Sequence, residues 1–136
     1  MSDEFEWPSY YPDTCPPSNA EAASGQVYRL VDEGGPADED FVCHKLIYPY
    51  KDWEDKECQA CGLSVHPSLE SSDRLKRRIP ALRNKRAAVA SLQAKHGLLM
   101  RTPSSADKAH HTWWVPASLQ SPCALFSAVV RQASTS

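Results

Sequence analysis

Alternating apolar and polar positions predict strands at four places along the chain. The stretch QVYRLV, residues 26–31, sets two valines and an arginine on one side and a tyrosine and a leucine on the other, which is the period of a strand. Residues 41–48 are β-branched or aromatic in places and stop before Pro49. Apolar runs also occupy 97–102 and 111–115, on either side of the polar turn SSADKA. We therefore expect strands near these four segments.

A helical period follows in the middle of the chain. Two serines before DRLKRRI are suitable N-terminal caps, and Pro80 stands where a second helical stretch can begin. From Pro80 to His96 the apolar residues fall near helical spacing, with alanines between them, and Gly97 is a suitable stop. The pattern predicts one main basic helix over about 73–96.

The order of these elements predicts the fold class and the extent of the domain. Strand, strand, turn, helix, strand, strand lacks the βαβ rhythm of a parallel sheet. We expect one α+β domain over 25–132, with a small mixed sheet, one main helix and a zinc-binding turn. A chain of 136 residues is long enough to bury a core. Residues 1–24, rich in proline, serine and acids, and the tail 133–136 are predicted to be disordered.

Aromatic residues stand out within the predicted arm. Phe5, Trp7, Tyr10 and Tyr11 lie within seven positions, which is unusual for a solvated segment. The arm either stays mobile or docks these rings on a groove of this domain or of a partner. We take Trp7, Tyr10 and Tyr11 as candidate partner-binding residues.

Charge and hydropathy narrow the classes of protein. No run of about 18 apolar residues occurs, and the acidic N-terminus lacks the apolar segment of a signal peptide. We therefore expect a cytoplasmic protein without membrane contact. Residues 1–57 hold 14 acidic and 4 basic side chains, whereas residues 58–136 hold 3 acidic and 11 basic ones. This asymmetry indicates either a basic surface for an anionic partner or attraction between the two halves.

The stretch CQACGLSVH, residues 58–66, carries the metal hypothesis. Two cysteines separated by two residues can present thiolates to one ion, and the histidine can add a third ligand. This spacing resembles the first part of a retroviral-type zinc knuckle, whose final cysteine would fall at Ser71. The fourth ligand is therefore expected from Cys43 or His44. Cys43, Cys58, Cys61 and His66 form the predicted site of a structural zinc ion; the alternative is that the cysteines are buried apolar residues.

Basic residues cluster in the predicted helix, and an aromatic strand follows it. The basic residues of 74–86 could neutralise phosphates, and a tryptophan of the strand could stack on a base. The candidate nucleic-acid-binding residues are Arg74, Lys76, Arg77, Arg78, Arg83, Lys85, Arg86 and Trp113. The alternative is a solvated helix face.

The two histidines of the strand HHTWW also suggest acid–base catalysis. His110 or His111 could serve as a general base in a small hydrolase or transferase. Arg29 in VYRLV and His111 in HHTWW resemble the arginine strand and histidine strand of NAD-using transferases, a resemblance that would place both residues in one cleft. No Ser/His/Asp signature or phosphate-binding glycine loop is present, so no catalytic residue is assigned.

These patterns lead to one functional expectation and two alternatives. We expect a zinc-stabilised binding or regulatory protein that acts through a protein–protein interface. The first alternative is nucleic-acid binding through 74–86 and the hairpin of His110 to Trp114. The second is the histidine-dependent hydrolase or transferase. No pattern in the chain indicates an oligomeric state.

Overall fold

The computed structural model describes residues 5–130. The strands are β1 (Glu21–Ala22), β2 (Gly25–Val31), β3 (Leu63–Val65), β4 (Arg86–Leu92), β5 (Leu98–Arg101), β6 (His111–Trp114) and β7 (Ser127–Ala128). The α-helices are α1 (His44–Ile47), α2 (Glu57–Cys61) and α3 (Leu69–Arg78). Short 3₁₀ helices cover Asp38–Phe41, Glu54–Lys56, Pro80–Leu82, Ala94–His96 and Pro122–Leu125. This is the predicted α+β class.

The strands form two antiparallel sheets. One sheet has four strands in the order β1, β5, β6, β3, and the other has three in the order β2, β4, β7. The prediction of a mixed sheet is therefore wrong, because every pairing is antiparallel. An isolated bridge between Tyr28 and His66 joins β2 to the end of β3. The bridge brings Arg29 of one sheet beside Ser64 and His66 of the other.

Three predicted strands and part of the helix are present. β2, β5 and β6 occupy the segments 26–31, 97–102 and 111–115 within a residue or two. The helix, however, ends at Arg78, one residue before Ile79 and the helix-breaking Pro80. Its first turn is capped by Ser68, whose hydroxyl accepts a hydrogen bond from the Ser71 N–H at 3.1 Å.

The remainder of the predicted helix is a strand. All seven residues of β4 pair with β2, from Arg86 opposite Val31 to Leu92 opposite Gly25. Alanine favours helix locally, but here its small side chain allows close packing under the core, and Ala88 and Ala90 are buried. Partnership with β2 therefore overrides the helical period.

The predicted strand at 41–48 is absent because, among the described residues, the backbone of this segment has no strand partner. The backbone there bonds locally: the N–H groups of Leu46 and Ile47 both donate to the Cys43 carbonyl at 3.1 Å. Phe41 and Cys43 are buried, while Leu46, Ile47 and Tyr48 are exposed. No sheet strand pairs with the segment among residues 5–130, so its β-forming side chains do not make a strand.

The core lies between the two sheets. Trp113 and Trp114 are 0% and 1% exposed, although neighbours on a strand face opposite ways. Trp113 packs with Val27, Val31 and Phe126 in the main cluster, and Trp114 packs with Cys15 and Cys61 in a smaller one. Strand β6 therefore contributes one buried tryptophan to each face of the four-stranded sheet.

The N-terminal segment, predicted to be a disordered arm, is attached to the domain from Phe5 onward. Cys15 forms a disulfide with Cys58 on α2. The rings of Trp7 and Tyr11 are stacked at 5.8 Å, and both pack against the smaller core cluster. This corresponds to the docking alternative. Residues 1–4 and the predicted tail 133–136 lie outside the described residues.

Two observations bear on location. Among residues 5–130, no helix has both the length and the apolar character needed to cross a bilayer. The Cys15–Cys58 disulfide is of a kind that persists mainly in oxidising compartments. The cytoplasmic location stays a prediction.

Candidate functional site

A cleft of about 630 Å³ lies where the two sheets meet. Its walls come from β2, from β3 and the residue after it, from the 38–47 segment and α2, and from the 104–112 region. Arg29, Ser64, His66 and His110 are among the polar residues that line it, and the acidic residues Asp32, Glu39 and Asp40 line it as well. A concave site of this volume, lined by both apolar and polar residues, is the usual form of a small-molecule site.

The side chains of Ser64 and His110 are hydrogen-bonded to each other in the cleft. Ser64 lies on β3, between buried Leu63 and Val65. The Oγ atom of Ser64 is 2.8 Å from Nε2 of His110. On its other side, Nδ1 of His110 is 2.9 Å from the carbonyl oxygen of Thr102. A hydroxyl, an imidazole and an orienting acceptor are therefore connected by hydrogen bonds.

Two oxygens of Thr102 lie 2.9 Å from Nδ1 of His110: the carbonyl oxygen, which only accepts a hydrogen bond, and the hydroxyl, which can also donate one. In the tautomer with the proton on Nδ1, the ring donates to the carbonyl oxygen, Nε2 is the acceptor, and the Ser64 hydroxyl donates to Nε2. Burial lowers the pKa of His110 and outweighs the effect of the Thr102 carbonyl. The ring is therefore a neutral base at pH 7, oriented toward a serine hydroxyl.

A second histidine is held by a buried carboxylate. The Nδ1 atom of His66 lies 3.1 Å from Oδ2 of Asp107 and 3.0 Å from the hydroxyl of Ser71. Ser71 also donates a very short hydrogen bond to that carboxylate oxygen. Arg74 donates to the other oxygen at 3.3 Å. Because an ionised carboxylate only accepts, His66 carries its proton on Nδ1.

Burial and hydrogen bonding set the charges of this pair. Burial lowers the pKa of His66 to about 4, against the opposing effect of Asp107. Burial alone would raise the pKa of Asp107, but hydrogen bonds from Ser71, the Ala109 N–H, His66 and Arg74 lower it to about 2. The result is a neutral histidine beside an ionised aspartate, the orientation that carboxylates impose on histidines in many active sites.

The rings of the two histidines are neighbours. Their centroids are 5.8 Å apart in an edge-to-face arrangement. The hydrogen bonds of His66 among the described residues run through Nδ1, whereas His110 uses both ring nitrogens. The cleft therefore contains one imidazole bonded to a serine and a second oriented by an aspartate.

The predicted zinc ligands are only partly brought together. Cys58 is in the disulfide with Cys15, Cys43 lies 3.6 Å from the Tyr10 hydroxyl, and His66 is bonded to Asp107 and Ser71. Within residues 5–130, no group of three or more His, Cys, Asp and Glu side chains is arranged to hold a metal ion. Structural zinc stays a prediction, and a disulfide sulfur lacks the thiolate charge that a ligand needs.

The remaining zinc candidates, Cys61 and His44, lie beside tryptophan side chains. Cys61 is buried beside Trp114, and burial raises the pKa of its thiol to about 11. His44, the alternative fourth ligand, lines the cleft and stacks on Trp53 with centroids 6.1 Å apart. Cys61 therefore matches the alternative of a buried apolar cysteine.

The candidate nucleic-acid-binding residues do not share one helix. Arg74, Lys76, Arg77 and Arg78 lie on α3, where the last three complement the negative end of the helix dipole. The others follow: Arg83 after the 80–82 turn, Lys85 in an ion pair with Asp32 at 2.8 Å, and Arg86 bonded to the Gly35 carbonyl. Lys85 and Arg86 connect the basic second half of the chain to its acidic first half.

Trp113 is not a stacking platform. It is fully buried, and its indole N–H donates to the His96 carbonyl at 2.8 Å. A ring in this position has no face free for a base. The prediction for Trp113 is therefore corrected to a core residue.

The candidate partner-binding aromatics pack within the chain. Trp7, Tyr10 and Tyr11 contact the cluster of Cys15, Cys61 and Trp114. Burial raises the pKa of Tyr11 above its usual range, as expected for a phenol that lies against the fold.

Sequence reasoning had flagged His66 and His110, but it missed their partners. Ser64 is two residues before His66, so on a strand both face the same side, and this was an available signal. Ser71 and Asp107 carried no local signal, because Asp107 lies in a polar turn 41 positions from His66. The histidine of the resemblance to NAD-using transferases was His111, yet the one that lines the cleft with Arg29 is His110.

Comparisons with protein-family models, with curated proteins and with solved structures find no match for this chain.

Proposed function

We propose that this protein is a small histidine-dependent hydrolase or transferase that transfers an acyl group through Ser64. The observation that carries the proposal is the 2.8 Å contact between Ser64 Oγ and His110 Nε2 inside the cleft. A serine hydroxyl is a weak nucleophile until an adjacent base removes its proton. His110 meets that requirement, since it is neutral and its Nδ1 is fixed by the Thr102 carbonyl.

The chemistry follows from this pair. As Ser64 Oγ bonds to the acyl carbon, its proton passes to Nε2 of His110, and the histidine then gives that proton to the departing alcohol or amine. The product of this half-reaction is an ester on Ser64. Water in a hydrolase, or an acceptor alcohol in a transferase, loses a proton to His110, attacks the ester and releases the Ser64 hydroxyl.

The test is hydrolysis of 4-nitrophenyl acetate, together with labelling by a fluorophosphonate and mapping of the modified peptide. We expect the label on Ser64, and losses of about 10³-fold or more in kcat/KM for Ser64→Ala and His110→Ala. His111→Ala is the matched control, because His111 directly follows His110 and, within residues 5–130, its ring is hydrogen-bonded to the Ala109 carbonyl at 2.7 Å instead of to Ser64. Turnover that survives Ser64→Ala, or a label on another residue, contradicts the proposal.

A second candidate is binding of a protein partner, which is favoured by an exposed apolar segment beside the cleft. Leu46, Ile47, Tyr48 and Tyr50 are 47%, 48%, 55% and 99% exposed. Neighbouring exposed apolar residues of this kind commonly mark interaction surfaces. This surface differs from the arm that the sequence suggested.

Site-specific photo-crosslinking tests this second candidate. A benzophenone amino acid at Tyr50 should give a discrete crosslinked product in cell extract, and Ile47→Ser together with Leu46→Ser should abolish it. The same amino acid at exposed Arg83 serves as the control position. Equal crosslinking from both positions would eliminate this surface as a binding site.

A further inference from the structure

Arg29 occupies an inward position on β2. It stands between Val27 and Val31, which are 3% and 0% exposed, and residues two apart on a strand face the same side. A guanidinium between two core valines departs from the alternation of the strand. Such departures from local pattern concentrate at functional sites.

Carbonyl oxygens, rather than a carboxylate, bind the guanidinium of Arg29. Burial lowers its pKa to about 10, and the charge of Asp40 opposes that effect. Nε and Nη2 donate to the Asp40 carbonyl at 3.0 and 2.8 Å, and Nη1 donates to the Ser64 carbonyl at 2.7 Å. Phe41 lies against the guanidinium at 5.3 Å. Among the described residues, no carboxylate lies within salt-bridge distance. Since a guanidinium has five N–H donors, these three bonds leave two for another acceptor.

The positive charge of Arg29 affects the pKa values of the histidines that line the cleft. Burial is the main reason why the pKa values of His44, His66 and His110 are lowered, and the positive charge of Arg29 lowers each of them further. These three histidines also line the cleft. Arg29 is therefore close enough to influence the groups that would carry out the chemistry.

An unpaired donor, the indole N–H of Trp53, also borders the cleft. The Nε1 atom of Trp53 is buried and has no hydrogen-bond partner among residues 5–130. Buried donors are nearly always bonded, so an unpaired one indicates an acceptor that is missing. The unpaired indole N–H and the two remaining guanidinium N–H groups can each donate a hydrogen bond to an oxygen acceptor.

We propose that the cleft binds substrates through an anionic oxygen group, a carboxylate or a phosphate, held by Arg29 beside Ser64. The inference rests on the proposed acyl transfer and adds the substrate class: an ester whose acyl portion carries the anion. Planar guanidinium donors match both kinds of oxyanion, because each offers two oxygens to a pair of N–H groups.

Binding is tested first, without catalysis. In Ser64→Ala, imidazole NMR signals are followed while succinate or inorganic phosphate is added. We expect the His110 and His66 signals to move and their pKa values to rise, because a bound anion favours the protonated rings. His96, which is buried outside the cleft walls, is the internal control. Arg29→Gln should weaken binding by about tenfold to a hundredfold, the usual effect of losing a charge-assisted hydrogen bond, whereas exposed Arg83→Gln should not change it.

Turnover is tested second, with a matched pair of esters. The wild-type enzyme should hydrolyse the mono-4-nitrophenyl ester of succinate at least about tenfold more efficiently than 4-nitrophenyl acetate, and Arg29→Gln should bring the ratio close to one. If Arg29→Gln does not fold, Arg29→Lys keeps the charge without the paired donors and should lower the ratio. The ratio of ester hydrolysis by the wild-type enzyme and the anion-induced NMR shifts can both be measured without a variant at Arg29.

The outcomes separate the two proposals. Anion-dependent shifts that require Arg29, without turnover of either ester, support the anion site and refute acyl transfer. Ser64-dependent turnover with a wild-type ester ratio near one, and no shift on adding either anion, overturns the anion site and leaves acyl transfer intact. A response to phosphate alone or to succinate alone identifies the oxyanion.

Discussion

At the scale of single residues, hydrogen-bond partners assign different roles to chemically similar side chains. His66 and His110 both lie in the cleft, but one is bonded to a carboxylate and the other to a serine and a carbonyl. Only His110 has a hydroxyl on its accepting nitrogen. Without those partners the two histidines would be equivalent candidates for a base.

The burial of His66 predicts how stability depends on pH. Its pKa is about 4 in the folded chain and about 6.5 when unfolded, so between these values only the unfolded state binds the proton. The free energy of unfolding should therefore fall as the pH drops from 6.5 to 4, by on the order of 2–3 kcal/mol from this residue. Urea denaturation across this range measures the fall.

His66→Gln provides the comparison for that measurement. The variant should be less stable at pH 7, but its stability should fall less between pH 6.5 and pH 4 than that of the wild type. The lowered pKa of Asp107 affects a separate range, because its contribution is present above its unfolded pKa and is lost only as the pH falls toward about 2. An identical pH slope in both proteins would show that His66 is not the group responsible.

At the scale of elements, backbone partnership decided between helix and strand. The apolar residues of 80–96 fall near helical spacing with alanines between them, yet β4 lies between β2 and β7 and bonds to both. The segment at 41–48 has strand-forming side chains, but its N–H groups bond within their own turn. Local propensity differs by less than about 1 kcal/mol per residue between most side chains, so a complete set of sheet hydrogen bonds outweighs it.

The turn before β5 yields a prediction about Gly97. Its φ of +117° is rarely adopted by other residues, and a Cβ there would collide with the Trp114 carbonyl. Gly97→Ala should lower the free energy of unfolding by more than about 2 kcal/mol, because backbone strain and the clash with the neighbouring strand add together. Chemical denaturation gives the value.

Gly34 is the matched glycine for this experiment. A Cβ at Gly34 meets no atom within 4 Å, so Gly34→Ala should stay within about 0.5 kcal/mol of the wild type. Equal effects at both positions would contradict the role assigned to Gly97.

At the scale of the whole molecule, a disulfide joins the N-terminal segment to helix α2. The Cys15–Cys58 disulfide joins residues 43 positions apart, and Tyr10 and Tyr11 pack on the same cluster. Cys15→Ser or Cys58→Ser should lower the free energy of unfolding by roughly 2–4 kcal/mol, because the unfolded chain regains the freedom of a long loop. Thermal or urea unfolding measures the difference.

Cys123→Ser is the control for this prediction. Cys123 is partly exposed and outside the disulfide, and serine retains a donor for the Asp38 carboxylate that the thiol contacts at 2.9 Å, so the replacement should leave stability nearly unchanged. Partial proteolysis should also cleave the N-terminal segment faster in Cys15→Ser than in Cys123→Ser. Equal stability and equal cleavage would mean that the arm is held by its aromatic contacts without the disulfide.

The sequence by itself determined the parts of this protein that depend on neighbouring residues. β2, β5 and β6 follow from alternation and β-branched or aromatic side chains, and the segment DRLKRRI is helical as predicted. The predicted helix was too long, however, because it was continued through Pro80 to 96, whereas α3 ends at Arg78. The α+β class follows from the order of those elements. Two of the cleft residues, His66 and His110, were singled out from the sequence: His66 as a zinc ligand because of its spacing from Cys61, and His110 as a possible base because an imidazole titrates near neutral pH.

The tertiary structure decided everything that depends on residues far apart in the chain. Ser64 meets His110 across 46 positions, and Asp107 meets His66 across 41. Neither pairing leaves a local pattern, because it arises only when β3 pairs with β6 and the 104–110 turn folds beside α3. The same holds for the disulfide of Cys58, which the spacing to Cys61 had assigned to a metal. Local preferences act over a few residues, whereas contacts between distant segments bring the side chains of the cleft together.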